Sequence, residues 1–378
     1  MYSSWLTVWI ICGLTGSALQ VKSAGSQRGI NFHSSSGKMG EKSPHGRRLQ
    51  DLLEISYEVC VSLSEMVSTI YSTYLDQDTT TEKKADASAF TIADGLVEHM
   101  LREFLQGKLS HLVGEEDDSV IKLDAARPYY VNNMQVPHDL CGIIDKNIQN
   151  MRELGKKLDH EIYQDLVAFV DPIDGTKEFV NGRGEQCTIC LGFSDANTGN
   201  AVAGIVFRPI TGAWAAGAAS ENYAVCDFEK NSTARTGGFL ASSGKLSAFT
   251  QTVQAELGAH LTPVGGAGNK VLLLLEGVGS SYIQDRGLNR WDTCACEAVL
   301  DAFGGHLVRL DQVVERGRLQ AYRYKQSTKN TDFQPTARLT KYNSAPVVSS
   351  GSSSSSSSSS EETVVTVESF KPYSNICG

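Results

Sequence analysis

What is scarce in this chain narrows its chemistry first. Nine cysteines are present, but none stands at a spacing that reads as a zinc site. Cys187-Thr188-Ile189-Cys190 comes nearest. It lies in an apolar run over 187–193 that reads as a strand, where residues three apart face opposite ways. These two thiols therefore read as buried packing groups, as do Cys294 and Cys296. An odd count also argues against a fully paired disulfide framework. Positive charge is in deficit. With 34 Lys and Arg against 43 Asp and Glu, the net charge is −9, which disfavours a nucleic-acid polymer or an acidic membrane as partner. The apolar stretch over 5–12 is too short for a typical membrane span. No internal repeat is visible.

The 378 residues are enough for two domains with sizeable cores, and a hydrophobic share of 41% is ordinary for a globular protein. Composition divides the chain into four parts. Residues 1–49 form a targeting-like segment: a short apolar core, then Gly16, Ser17 and Ala18, though without a basic start. That segment implies the secretory pathway or an organelle, with the cytoplasm as the alternative. The sequon Asn231-Ser232-Thr233 matters only in the first case. Residues 50–225 read as an α+β domain, residues 226–348 as an α/β domain, and residues 349–378 as a Ser-rich low-complexity tail.

Periodicity predicts the elements. Leu52, Leu53, Val59, Leu63, Met66, Val67 and Ile70 recur at helical spacing, predicting a helix over 50–75. A loop over 76–88 follows, then a second helix after Thr91-Ile92-Ala93-Asp94. A short strand over 111–113 ends at Gly114-Glu115-Glu116-Asp117-Asp118. Residues 119–165 read as an insertion with one helix. Strands over 187–193, 201–207 and 213–217 make one antiparallel sheet. Farther on come strands over 239–242, 281–284 and 306–310, with helices over 247–257, 270–276 and from Asp292 onward. Helices alternating with strands suggest a mostly parallel second sheet.

The richest stretch is Asp171-Pro172-Ile173-Asp174-Gly175-Thr176, which follows the apolar run 166–170. Pro172 cannot donate to a ladder, so the strand is expected to end there. Two carboxylates straddling a turn can point into one space, with the Ile173 carbonyl as a third oxygen. Hard divalent cations such as Mg²⁺ take such ligands. Free N–H groups at Gly175 and Thr176 can hold an anion. The plainer alternative is a strand-end turn with solvated acids. A second stretch, Trp291-Asp292-Thr293-Cys294-Ala295, places Asp292 where a helix N-cap would sit and leads to Gly304-Gly305.

Taken in order, Gly114-Glu115-Glu116, the Asp171-to-Thr176 stretch and the Trp291-Asp292 stretch resemble the signature of the inositol monophosphatase-like family, over roughly residues 50–348. The resemblance implies the sugar-phosphatase fold, an α/β (α+β layered) sandwich of alternating helix and sheet layers. It implies a Mg²⁺-dependent, lithium-sensitive phosphatase of small phosphomonoesters. By the same resemblance Glu115, Asp171, the Ile173 carbonyl, Asp174 and Asp292 hold two or three Mg²⁺ ions, with Glu116 behind them. Asp94 and Thr176 orient the water that attacks phosphorus, and no covalent phosphoenzyme forms. Gly175 and Thr176 receive the phosphate.

Two branches of the family compete. Thr176-Lys177-Glu178-Phe179 and Gly265-Gly266-Ala267-Gly268-Asn269-Lys270 look like the 3'(2'),5'-bisphosphate nucleotidases. That likeness implies 3'-phosphoadenosine 5'-phosphate as substrate, with Gly266 and Lys270 at its second phosphate. Ser242-Ser243-Gly244-Lys245 is closer to the inositol polyphosphate 1-phosphatases, which implies inositol 1,4-bisphosphate, with Ser243 at the substrate. A third reading is a catalytically inactive relative that binds a phosphorylated metabolite. In each case the partner is a small phosphorylated molecule, and a monomer or a homodimer fits.

Overall fold

The computed structural model describes residues 48–74, 81–83, 89–116, 121–123, 127–158, 160–228, 238–244, 246–248, 250–251, 260–279, 281–284, 288–309 and 320–325. The apolar N-terminal stretch, the Asn231 sequon, most of the helix expected over 247–257 and the Ser tract lie outside these residues.

Helix α1 (Arg48–Thr73) buries one stripe, including Leu52, Val59, Leu63, Met66 and Ile70. Strands β1 (Thr81–Lys83) and β2 (Ala89–Thr91) pair as an antiparallel hairpin, where the sequence reading expected only a loop. Helix α2 (Ile92–Leu105) follows directly, then β3 (His111–Gly114). The expected insertion holds three short strands, β4 (Ile121–Lys122), β5 (Tyr130–Val131) and β6 (Met134–Gln135), besides α3 (Cys141–Lys156) and the single turn α4 (His160–Tyr163).

Next come β7 (Leu166–Asp174), α5 (Thr176–Val180), β8 (Thr188–Asp195), β9 (Ala201–Phe207), β10 (Trp214–Ala218) and β11 (Tyr223–Cys226). With β3 these build a six-stranded sheet in the order β11-β10-β9-β8-β7-β3. Neighbours from β7 to β11 are antiparallel, and only β3 runs parallel to β7. The strand does not end at Pro172. It continues to Asp174 across a register shift between Asp171 and Asp174, and the proline, which has no N–H, sits inside that bulge.

Helices α1, α2 and α3 cover one face of this sheet with an apolar cluster that includes Phe104, Ile144, Phe179 and Phe193. The other face seats α6 (Ala267–Leu275) and α7 (Arg290–Ala302). Three glycines make room for α7. Gly192, Gly204 and Gly217 lie in register across β8, β9 and β10. A Cβ at Gly204 would stand 2.7 Å from the Ala295 carbonyl oxygen, and one at Gly192 or Gly217 would overlap the helix outright. The helix backbone therefore lies directly on the sheet, which fixes where Asp292 points.

Beyond α6 and α7 lies a parallel three-stranded sheet, β13 (His260–Val264), β12 (Gly238–Ser242) and β14 (Ser281–Tyr282), with β12 central. Leu240 and Tyr282 join it to the α6–α7 cluster. The layers thus alternate helix, sheet, helix, sheet. The strand expected over 306–310 is not one. Residues 306–309 carry no ladder, and Arg309 N–H instead meets the Gln320 carbonyl at 2.8 Å. The third strand is β13, whose Pro263 hides it in the sequence but is tolerated at a sheet edge. No helix among the described residues is long and apolar enough to cross a membrane.

Candidate active site

In a regular strand Asp171 and Asp174, three apart, would face opposite sides. The bulge corrects this. Asp171 pairs with Cys190 and Asp174 with Thr188, so two β7 residues lie between them against one on β8. Both carboxylates turn to one side. Asp292 joins them from the first turn of α7, and one carboxylate oxygen of each lies within 4.8 Å of the others. All three are buried, at 1%, 6% and 9% exposure.

Each acid is held differently. Asp174 is the most supported: it accepts the Ala267 and Gly268 N–H groups at 2.9 and 2.7 Å and the Thr188 hydroxyl at 2.9 Å. The first turn of α6 thus serves a carboxylate. Burial still raises its pKa, against the pull of those donors and of Lys270. Asp292 is not the N-cap of α7. Asn289 is, and Asp292 stands three residues in, closing a capping box by accepting the Asn289 N–H. Burial, with Asp174 and Glu115 adding to it, pushes the Asp292 carboxyl up to about 8, against its hydrogen bond with Asp171. Asp171 is raised well above the usual range, by burial first and then by Glu115, Asp174 and Asp292. Its Oδ1 is buried without a hydrogen-bond partner.

Glu115 reaches the group through the sheet. Gly114 pairs with Val170, and the Glu115 N–H meets the Val170 carbonyl at 3.2 Å, which sets Glu115 beside Asp171. Glu116 donates its N–H to Glu98 Oε2 at 2.9 Å; Asp117 and Asp118 lie outside the described residues.

Asp94 and Thr176 stand together. The Thr176 hydroxyl lies 2.9 Å from Asp94 Oδ1 and 3.0 Å from the Ile173 carbonyl. Asp94 Oδ2 accepts the N–H and the hydroxyl of Thr91, at 2.8 and 2.6 Å, so the acid that caps α2 also faces Thr176. Gly175 turns the chain into α5 at φ +93°, a conformation that suits glycine.

Of the residues assigned to the substrate, Lys270 turns inward. Lys270 is only 2% exposed. Its ammonium donates to the Gly266 carbonyl at 2.8 Å and to Gln284 at 3.3 Å, 5.9 Å from the centre of the Tyr282 ring. It supports the glycine turn from within rather than standing open as a clamp; burial lowers its pKa. The Ser243 hydroxyl donates to Glu178 at 2.6 Å. Gly266 adopts φ +64°, and a Cβ there would come within 2.9 Å of Asp174 Oδ2.

Sequence reasoning missed several supports. Glu178, itself buried, also pairs with Arg183 at 3.3 Å. Gln186 accepts the Gly265 N–H at 2.9 Å. Glu98 grips the Glu115 loop. Only Glu98 left a signal, standing one helical turn after Asp94. Cys187, just before β8, packs on the α1–α3 side of the sheet and Cys190 on the α7 side.

The donor set suits a hard divalent cation. It is all oxygen, its acids repel one another in a dry site, and one buried oxygen lacks a donor. Asp171, Asp174 and Asp292, with Glu115 and the Ile173 carbonyl adjacent, are the residues that would hold it.

The chain is similar in sequence to known proteins. The rat 3'(2'),5'-bisphosphate nucleotidase 1 is 35% identical over 160 residues, covering 38% of this chain and 50% of that protein. The chain thus spans about half the length of the curated relative it matches there. The mouse inositol polyphosphate 1-phosphatase is 23% identical over 295 residues, covering 62% of this chain and 74% of its own. Among solved structures, the extragenic suppressor protein SuhB of Bartonella henselae superposes with a TM-score of 0.48 at 14% identity, covering 68% of this chain and 86% of its own. The sequence profile of the inositol monophosphatase family matches residues 48–344, and the chain belongs to that family.

Proposed function

We propose that this protein is a Mg²⁺-dependent phosphomonoesterase that removes the 3'-phosphate of 3'-phosphoadenosine 5'-phosphate, giving AMP and phosphate. The observation that carries the reading is the convergence of Asp171, Asp174 and Asp292, with a partnerless Asp171 Oδ1, near the Thr176–Asp94 pair. When bound by these acids, Mg²⁺ supplies Lewis-acid stabilisation of the phosphoryl oxygens and makes a nearby water more acidic. The chain's own residues do the rest. The Thr176 hydroxyl donates to Asp94 Oδ1, which leaves its oxygen lone pairs to accept a hydrogen bond from the attacking water. Asp94, pinned by two bonds from Thr91, keeps Thr176 in that orientation. The water oxygen joins phosphorus as the bond from phosphorus to the 3'-oxygen breaks. One water proton stays on the phosphate; the other passes through the Thr176 hydroxyl to Asp94, which returns it to solvent. A solvent water protonates the 3'-oxygen, so that AMP leaves as the alcohol. Lithium competing for the same oxygens is expected to inhibit.

The nucleotide substrate is favoured by the stretches Thr176–Phe179 and Gly265–Lys270, and by the higher identity of the nucleotidase match. Inositol 1,4-bisphosphate is the second reading. The likeness of Ser242-Ser243-Gly244-Lys245 to the inositol polyphosphate 1-phosphatases and the longer match to that enzyme favour it. Phosphate release by the full chain, with Mg²⁺ and each substrate in parallel, decides between them. The expected result is a higher kcat/KM for 3'-phosphoadenosine 5'-phosphate. A higher value for inositol 1,4-bisphosphate makes the second reading correct, and release from neither overturns both.

A further inference from the structure

Helix α2 carries two buried acids four residues apart, Asp94 and Glu98, both fully buried. At that spacing they lie on one face of the helix. Asp94 faces Thr176. Glu98 faces the other half of the site: its Oε2 accepts the Glu116 N–H at 2.9 Å, and its Oε1 accepts Arg102 Nε at 3.2 Å. Gly114 is shaped to this acid, since a Cβ at 114 would overlap the Glu98 carboxylate. The loop carrying Glu115 is therefore gripped twice. Its strand side follows the β7 ladder through the Glu115 N–H and the Val170 carbonyl, and its far side is tied to α2. Glu115 lies between the two grips.

A carboxylate buried beside other acids is an expensive way to hold one N–H group. Burying a charge costs free energy unless it is paired and hydrogen-bonded. Here Arg102 supplies the paired charge and the loop supplies the amide. A neutral side chain could have filled the space, so the shape of the pocket alone does not call for an acid.

We propose that Glu98 is a positioning residue for the metal site: by holding the 114–116 backbone against α2, it fixes Glu115 at a set distance from Asp171. Helix α2 then acts as one rigid spacer, with Asp94 setting the water-orienting Thr176 and Glu98 setting the cation-binding Glu115. The inference rests on the proposed metal-dependent function and names a residue outside the assigned ligand set.

The test measures Mn²⁺ binding to the full chain by electron paramagnetic resonance, a readout independent of turnover, with the apo melting temperature recorded alongside. Wild type is expected to bind Mn²⁺. Partners behind metal ligands typically contribute about 10–100-fold in affinity, so Glu98→Ala should weaken binding by that factor. Glu98→Gln keeps an oxygen for the Glu116 N–H and should recover most of it. If Glu98→Ala does not fold, Gly114→Ala serves, because its methyl displaces the Glu98 carboxylate and should weaken Mn²⁺ binding in the same direction. Folded Glu98→Ala or Gly114→Ala with Mn²⁺ affinity within about twofold of wild type overturns the inference while leaving the function standing. Wild type that binds no Mn²⁺ overturns the metal-dependent function, and this inference with it.

Discussion

Thr176 has one hydroxyl hydrogen and two acceptors within reach, Asp94 Oδ1 and the Ile173 carbonyl. In the proposed mechanism its value lies in orientation, not in substrate affinity. Thr176→Ala should therefore lower kcat by about 10²–10⁴-fold, the usual range for a positioned proton-transfer group, with a much smaller change in KM. Thr176→Ser should keep most of the rate. Steady-state kinetics checks this, and a kcat loss under about threefold for Thr176→Ala removes the residue from the mechanism. Glu297 makes a different prediction. It lies on the buried side of α7, where it accepts the Tyr324 hydroxyl at 2.8 Å and the Tyr322 N–H at 3.2 Å. Burial pushes its carboxyl from 4.5 up to about 8. A raised acid favours the protonated folded state, so its contribution is whole below pH 4.5 and is lost as pH rises through about 8. Glu297→Gln removes that titration. Denaturant midpoints of the two proteins should diverge between pH 5 and 8, with the variant gaining on wild type; parallel curves would contradict the assignment. Only the first of these roles is visible along the chain. Thr176 sits in a legible motif, whereas Glu297 looks like any helix-surface glutamate until Tyr324 closes over it.

The elements that set the site are β7, α2, α6 and α7. Strand β7 and helix α2 are legible because their apolar spacing is regular and their acids lie within a few residues. The bulge at Pro172 is not: a proline without an N–H usually marks a strand's end, and only pairing with β8 shows the ladder resuming at Asp174. The seat of α7 is equally hidden. Gly192, Gly204 and Gly217 are far apart in sequence and become one groove only when three strands align. A methyl at Gly204 would press on Ala295 backbone atoms, which cannot swing aside as a side chain can. Gly204→Ala should destabilise the fold by about 1–3 kcal/mol, as overpacking generally does. Because α7 carries Asp292, activity should fall beyond what the folded fraction explains. Gly142→Ala in α3 is the control, since a Cβ there meets nothing within 4 Å and alanine favours a helix by up to about 1 kcal/mol. Chemical denaturation of both variants tests the argument, and equal stability of the two would sink it.

Across the whole molecule, the site is assembled from parts far apart in the chain. Asp171 belongs to the six-stranded sheet, Asp292 to the helix lying on it, and the amides that hold Asp174 to the first turn of α6. The sequence reaches the Asp171–Asp174 pair through its strand-end turn, and Asp94, Glu115 and Asp292 through the family resemblance. It does not reach their supports, because Glu98, Thr188 and the Ala267 and Gly268 amides act across tertiary contacts. Lys270 shows the cost of that gap. The family likeness sets it at a second phosphate, and in the fold its ammonium turns inward onto Gly266. The central claim is that the three buried acids form a metal-dependent phosphatase centre. In the absence of cation they repel one another in a dry site, so removing one charge should not unfold the protein. The most direct test is phosphate release from 3'-phosphoadenosine 5'-phosphate by the full chain, wild type and Asp171→Asn, with Mg²⁺ and with excess chelator. The expected result is release by wild type with Mg²⁺ only, and none by an Asp171→Asn protein that melts no lower than wild type in chelator. Undiminished release in chelator, or by folded Asp171→Asn, would contradict the account.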